Sequence, residues 1–299
     1  MTETIAAVVV TFNRLTLLKE CIEGLRNQTH KLDSIIVINN GSTDGTDKWL
    51  NDQFDLQVIH QENLGGAGGF ARGMKEAYNA GFEWIWVMDD DVEPVYEALE
   101  KITNFFKISQ CINLTKKKTN GDFTFYNVFF NYFTGFINLN SIENLDRIQK
   151  KQFHYSNICC FEGMCVNRNL LSLTGLPNSD FFINGDDTTY GVIANEFTNN
   201  IFISEPLLIK DFNKRDSFGP KIGCTNENDA YYFFRNQFLI KDELKNKIGR
   251  DISNFKKEYL FRVIKAIFIC GIYGKWRYIY SIFRGINDGF RRKFGKKTF

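Results

Sequence analysis

Residues 82–91 read FEWIWVMDDD. A continuous run of apolar, aromatic and β-branched side chains reads as a strand buried on both faces of a parallel sheet. Here it stops abruptly on three carboxylates. Working outward, Ile5–Thr11 (IAAVVVT) is a second such run, Ser34–Asn39 (SIIVIN) a third and Leu56–His60 a short fourth. Between them, Leu15–Arg26 places Leu15, Leu18, Ile22 and Leu25 at helical spacing, and 66–80 reads as a glycine-rich helix. Strand and helix in alternation predict an α/β fold built on a mostly parallel sheet flanked by helices. Open sheets of this kind bind ligands beyond the carboxyl ends of their strands. Thr11-Phe12-Asn13-Arg14, Asn39-Asn40 and Asp89-Asp90-Asp91 all fall at such ends. Ser42 or Thr43 is placed to cap a short helix near 47–51.

The second half is less regular. Residues 122–136 alternate aromatic and polar side chains loosely, which suits a hairpin, and 115–122 is polar and reads as a loop. Residues 181–183 (FFI) read as a strand leading into Asp186-Asp187. Beyond 226 the pattern turns helical, over 229–248 and 255–268. The expected organisation is a domain over 1–225, with a nucleotide-binding half (1–103) and an acceptor-binding half (104–225), followed by a helical, basic region over 226–299.

With 43% hydrophobic and 24% charged residues, the composition is that of an ordinary globular chain. The net charge of +2 hides an asymmetry: residues 241–299 hold sixteen Lys/Arg against five Asp/Glu. A basic, aromatic tail on an acidic body suits an anionic membrane surface or a polyanionic partner; a solvated helical face over packed aromatics accounts for it equally. No nucleic-acid motif is present. Seven irregularly spaced Cys without a leader pattern read as reduced thiols of a cytoplasmic protein. The apolar stretch 263–272 is broken by Lys265 and is far shorter than the roughly 18 residues a membrane span needs. Any membrane contact is therefore expected to be peripheral.

Adjacent carboxylates at a sheet edge repel and raise one another's pKa unless a cation neutralises them. In an extended segment Asp89 and Asp91 point to one side, so a hard cation such as Mg²⁺ or Mn²⁺ could be gripped there and shared with a diphosphate. A solvated acidic turn is the competing reading. His30, His60 and His154 read as incidental. The glycine string over 63–73 lacks the lysine and spacing of a phosphate-binding Walker motif; packing of a helix against the sheet explains it nearly as well as approach to a sugar.

The ordered set VVVTFNR (8–14), IVINNGSTDGT (36–46), ENLGGAGGFARGM (62–74), WIWVMDDDVEP (84–94), FFINGDDTTYG (181–191), YYFFRNQ (231–237) and GINDGFRRKFGK (285–296) resembles family 2 glycosyltransferases. The likeness is to the bacterial galactofuranosyltransferase- and rhamnosyltransferase-like branch, and it leaves roughly 104–157 unmatched. It implies a GT-A type nucleotide-sugar-binding fold with Mn²⁺ or Mg²⁺ on Asp89 and Asp91. It places Thr11, Asn13, Arg14, Asn39, Asn63, Arg72 and Asp90 around the nucleotide-sugar, and Asp187 as general base of an inverting transfer. Asp186, Tyr231 and Arg235 fall on the acceptor side. Two positions depart from the branch. Thr189 stands where a Glu is usual, and Asp211 stands where relatives often have a metal-ligating His. The implied donor is UDP-galactofuranose or dTDP-rhamnose. The implied acceptor is a saccharide, often lipid-linked, in bacterial surface polysaccharide synthesis such as O-antigen or capsule. A catalytically silent scaffold and a nucleotidyltransferase are the alternatives from other classes.

Overall fold

A computed structural model describes residues 3–121, 123–124, 128–139, 150–210, 222–224 and 226–297. Ile5–Thr11 (β1), Ser34–Asn39 (β2), Leu56–His60 (β3) and Trp84–Asp89 (β4) run parallel in the order β3-β2-β1-β4. The chain adds strands to one side of β1 and then crosses to the other, so the sheet has a topological switch between β1 and β4. That is where an open α/β sheet leaves a crevice at its carboxyl edge.

The sheet continues through Glu93–Pro94 (β5), Cys111–Lys117 (β6), Phe123–Thr124 (β7), Phe153–Tyr155 (β10), Met164–Asn167 (β11) and Ile201–Ile209 (β12). There β11 lies antiparallel between β4 and β6, while β12 runs parallel to β6. Val128–Asn131 (β8) and Phe136–Leu139 (β9) pair as a separate hairpin, as the aromatic alternation predicts. The polar stretch from 115 is strand as far as Lys117, not loop. Thr115 is buried by donating its hydroxyl to the carbonyls of Ile203 and Glu205, and Lys116 by pairing with Glu162. A buried cation is tolerated when paired in this way.

Helices cover both faces. Leu15–Arg26 (α1), Thr46–Asn51 (α2) and Ala98–Thr103 (α4) pack on the face carrying Ile5, Ala7 and Val9. Gly65–Ala80 (α3), Arg168–Thr174 (α5) and Asp186–Ala194 (α6) pack on the face carrying Ala6, Val8 and Val10. Both faces of β1 are therefore core, the reason its sequence shows no polar alternation. A third apolar cluster joins the β8–β9 hairpin to Glu227–Ile248 (α7), Phe255–Ile272 (α8) and Trp276–Phe290 (α9).

Within the helical region expected over 226–299 the sequence reading delimits no separate helix at 276–290, where two glycines interrupt the pattern. They mark close approach to α7: a Cβ on Gly285 would lie 2.4 Å from the Tyr231 carbonyl oxygen, and one on Gly289 2.5 Å from the Phe238 ring. Neither Ser42 nor Thr43 caps α2. Asp44 does so, accepting from the Thr46 amide and hydroxyl (3.2 and 2.6 Å) with one oxygen and from the Leu15 amide (3.0 Å) with the other. One carboxylate thus steadies the first turns of two helices.

Candidate active site

At the switch between β1 and β4 opens a cleft of about 560 Å³, within the usual range for small-molecule sites. It is lined by Thr11, Phe12, Arg14, Asp89 and Asp90 from the ends of β1 and β4, and by Phe182, Asn184, Asp186 and Asp187 from the segment that leads into α6. Asn40, Asn63, Gly65, Gly66 and Glu162 are also part of the lining.

Asp90 ties the ends of β1 and β4 together. Its Oδ2 accepts from the Thr11 hydroxyl (2.7 Å) and the Phe12 amide (3.3 Å), and its Oδ1 from Arg14 Nη1 (3.1 Å). Its oxygens are committed to aligning the β1 loop. Arg14 also pairs with Asp91 at 2.9 Å, while its side chain stays 43% exposed toward the cleft. Asn13, at φ 55°, accepts from the Thr43 amide at 2.7 Å and joins the loops after β1 and β2. Asn39 bonds His60 Nδ1 (3.1 Å) and the Ser42 amide (3.1 Å), so it holds its turn from a buried position.

Asn40 fixes the approach to α3, donating to the Gly65 carbonyl and accepting from Gln61 and the Leu64 amide. Asn63 lines the cleft and accepts from the Gly65 amide. The glycine string has two jobs. Gly65 and Gly66 border the cleft, whereas a Cβ on Gly69 or Gly73 would lie 2.4 or 2.3 Å from Val10 or Val8. The latter two let α3 seat directly on β1. Arg72 is not part of the cleft. It points to solvent from the outer face of α3 and pairs with Glu76 at 2.7 Å.

Strand β4 ends at Asp89, and Asp90 and Asp91 already lie in a turn. The expectation that Asp89 and Asp91 share one side of an extended segment is therefore corrected. Asp89 faces the cleft and accepts no side-chain hydrogen bond among the described residues. Burial, followed by the nearby Glu162, pushes its pKa well above the carboxylate range. Asp91 is held instead by Arg14 and by Lys210 Nζ at 2.6 Å. Lys210 also reaches Glu162 at 2.9 Å, and Lys116 pairs with the other Glu162 oxygen. Burial alone would raise the Glu162 pKa, but these two ammoniums hold it down at about 2. Glu162, Lys116 and Lys210 carry no motif in the sequence and only the sheet order brings them together. Asp211 lies outside the described residues. Among the described residues no group of three His, Cys, Asp or Glu side chains is arranged to hold a metal.

The second acidic pair is not delivered by a strand. Ser179–Phe181 is a 3-10 turn, and Phe182 (φ 63°), Asn184 (φ 72°) and Gly185 (φ 96°) then take left-handed conformations. A bulky residue is strained there and stays only if its surroundings dictate it. Helix α7 supplies those surroundings. The Asn236 amide is shared among the carbonyls of Phe181, Ile183 and Asn184 at 3.1, 2.8 and 2.7 Å. Arg235 donates to the carbonyls of Asp180 (3.0 Å), Phe181 (2.7 Å) and Gly295. The Phe182 ring stacks on Tyr232 at 5.2 Å, and its carbonyl accepts from the Ala67 amide at 3.1 Å.

Arg235 is wholly buried among the rings of Tyr231, Tyr232 and Phe294, and the Tyr231 hydroxyl donates to Asp288. Neither residue is presented to an acceptor, which corrects the expectation that both contact it. They brace the turn that carries the acids. Thr189, in the position of the usual Glu, is buried with its hydroxyl on the Gly185 carbonyl at 2.6 Å.

On that turn Asp186 and Asp187 open helix α6, and both line the cleft. Burial, with repulsion from Asp187, pushes the Asp186 carboxyl up to about 7. Burial outweighs the hydrogen bond from the Thr188 amide (2.6 Å) and lifts Asp187 to about 6. Such a pair titrates as a unit near neutrality, the range that suits a general base.

Helix α3 approaches the Phe182 turn most closely at Gly65. Gly65 has φ 76°, and a Cβ there would lie 2.0 Å from the Phe182 carbonyl oxygen. Gly65→Ala therefore meets both backbone strain and a clash with backbone that no rotamer can relieve. A loss of at least about 2 kcal/mol in stability is expected. Urea unfolding would show it, and a midpoint unchanged from the parent would refute the contact.

The chain is similar in sequence and in fold to known proteins. Over 95 residues the chain is 39% identical to galactofuranosyltransferase GlfT1 of Mycolicibacterium smegmatis, covering 31% of this chain and 32% of that protein. Over 137 residues it is 31% identical to glycosyltransferase GlyG of Streptococcus pneumoniae, covering 42% and 44%. The match thus spans about a third to under half of these relatives. Among solved structures, S. aureus TarS 1-349 in complex with UDP superposes with a TM-score of 0.56 at 17% identity, over 82% of this chain and 66% of that one. GalNAc-T7 with UDP, GalNAc and Mn²⁺ gives 0.59 at 12% identity, over 87% and 55%. These two establish the likeness of fold to glycosyltransferases. Residues 6–171 match the family described as Glycosyl transferase family 2. With more than half its length inside that match, and its cleft at the β1–β4 switch, the chain belongs to glycosyl transferase family 2.

Proposed function

We propose that the chain is an inverting glycosyltransferase moving a sugar from a nucleoside diphosphate donor to a saccharide acceptor. The observation that carries this is one cleft lined both by Asp89, Asp90 and Arg14 and by the Asp186–Asp187 pair. Inverting displacement needs a leaving-group site and a base on opposite sides of one carbon, and in this reading Arg14 serves the one and Asp187 the other. Arg14 meets the diphosphate, with the loops after β1 and β2 beside the nucleoside. Asp187 takes the proton from the acceptor hydroxyl as its oxygen bonds to the anomeric carbon and the nucleoside diphosphate departs. UDP-galactofuranose is the favoured donor, supported by the GlfT1 likeness, and dTDP-rhamnose the second. Residues 1–225 form the transferase unit in this reading, with 226–299 bracing its acceptor side.

Asp89 fits a divalent cation: it is half-buried, lines the cleft and accepts no side-chain hydrogen bond among the described residues. Asp91 joins it as a ligand only by giving up Lys210. Mn²⁺ or Mg²⁺, when bound, neutralises the diphosphate and improves it as a leaving group. Nucleoside diphosphate release from a panel of nucleotide sugars tests the proposal. Release is expected from UDP-galactofuranose with Mn²⁺ and should be lost in EDTA. Undiminished release in EDTA would remove the cation from the reading; no release from any donor would remove the reading itself.

The pH profile is a second check. Because Asp187 is pushed up, its base form is depleted as pH falls through about 6 to 7. The rate kcat/KM is expected to rise across that range and level off above it. An acid limb near pH 4, about where an ordinary carboxylate titrates, would rule Asp187 out as base.

A further inference from the structure

We infer that the outer faces of α8 and α9 form a docking surface for an anionic lipid bilayer. A helix at a protein surface normally turns polar side chains outward. Helix α8 is apolar on both sides. Phe255, Tyr259, Val263 and Cys270 pack inward, while Leu260, Phe261, Ile264, Phe268 and Ile272 point out at 57–67% exposure. Their spacing of three and four residues makes them one continuous stripe. Helix α9, which packs against α8, adds Trp276 (71%), Tyr280 (66%) and Phe283 (55%) as exposed aromatics on one face of its own. Isolated exposed apolar residues are ordinary, but a contiguous patch marks an interaction site.

The charge pattern identifies the occupant. Residues 255–290 hold seven Lys/Arg against two Asp/Glu, Glu258 and Asp288, which pair with Arg262 and Arg284. Two copies of this chain meeting through the patch would share it symmetrically, setting cation against cation across an apolar seam. An anionic bilayer complements both properties. Apolar and aromatic side chains enter the headgroup boundary, where Trp and Tyr are favoured, and Lys and Arg meet the phosphates. No helix of the described residues is long and apolar enough to cross a membrane, so the contact is with the surface. The surface named here is the outer face of the hairpin, not the basic stretch at 291–297.

The full chain would be floated with vesicles of phosphatidylcholine alone and of phosphatidylcholine mixed with phosphatidylglycerol. Flotation is expected with the mixed vesicles, with weaker binding at high salt and little binding to the neutral ones. The double substitution Ile264→Glu, Phe268→Glu should weaken binding by about tenfold or more. Because both side chains point outward, its melting temperature should stay near the parent's. Failure of the parent to float with the mixed vesicles would overturn the inference. So would a parent dimer, seen by sedimentation, that these substitutions dissociate. The test reads no chemistry of the cleft and stands apart from the proposed reaction.

Discussion

Asp187→Asn is expected to lower glycosyl transfer by about a hundredfold to ten-thousandfold, the range a positioned general base contributes, with nucleotide binding little changed. The replacement keeps the shape of the side chain and an oxygen to accept from the Thr188 amide, at 2.6 Å in the parent. What it removes is the proton acceptor. Stability should move the other way or not at all. The folded pKa of Asp187, about 6, lies above the ordinary carboxylate value, so the folded state holds this proton more tightly than the unfolded chain. Stability from that proton is present at acid pH and lost as pH rises through about 6. At neutral pH the parent carries a buried charge that Asn lacks. Steady-state rates with thermal melting would separate the two effects. Transfer within about tenfold of the parent would mean that another group takes the proton.

Arg235→Ala has the largest expected effect on stability. The side chain donates to three carbonyls, those of Asp180, Phe181 and Gly295. Each hydrogen bond from a charged donor contributes about 1.5–3 kcal/mol, so a loss of about 3 kcal/mol or more is expected, although the Asp180 and Phe181 carbonyls keep the Gly295 amide and Asn236 as donors. The cavity among Tyr231, Tyr232 and Phe294 adds to it. Turnover should fall as well, because the strained turn at Phe182 and Asn184 loses part of the frame that holds Asp186 and Asp187 in the cleft. A direct phosphate or acceptor contact predicts the opposite pattern, a raised KM with an unchanged melting temperature. Thermal melts beside a KM series decide between them.

The same residue shows where the sequence stops being informative. In YYFFRNQ the arginine follows two tyrosines on a helix, and a functional arginine and a buried one look alike in one dimension. What separates them is the facing partner, and for Arg235 that partner is more than 50 residues away in the chain. Lys116 is a sharper case. It sits in a run of lysines that reads as solvated loop, yet its ammonium is buried against Glu162.

The parallel half of the sheet was legible because its strands are buried on both faces and its helices on one. Burial by itself writes continuous apolar runs and 3.6-residue periodicity into a chain. Ile5–Thr11, Leu15–Arg26 and Ser34–Asn39 fall where those patterns put them. The acidic clusters were equally legible, since carboxylates that follow a buried strand or open a helix have few structural explanations. The sequence by itself therefore determined the fold class, the edge of the sheet where the cleft lies and four of the acids that line it, Asp89, Asp90, Asp186 and Asp187, but not Glu162. The tertiary structure alone decided their partners. It gave Asp91 to Lys210 and Arg14, left Asp89 facing the cleft, and turned Tyr231 and Arg235 from contacts into supports. Those outcomes depend on strand order and helix docking, which bring together side chains far apart in the chain, and no local pattern encodes such a meeting.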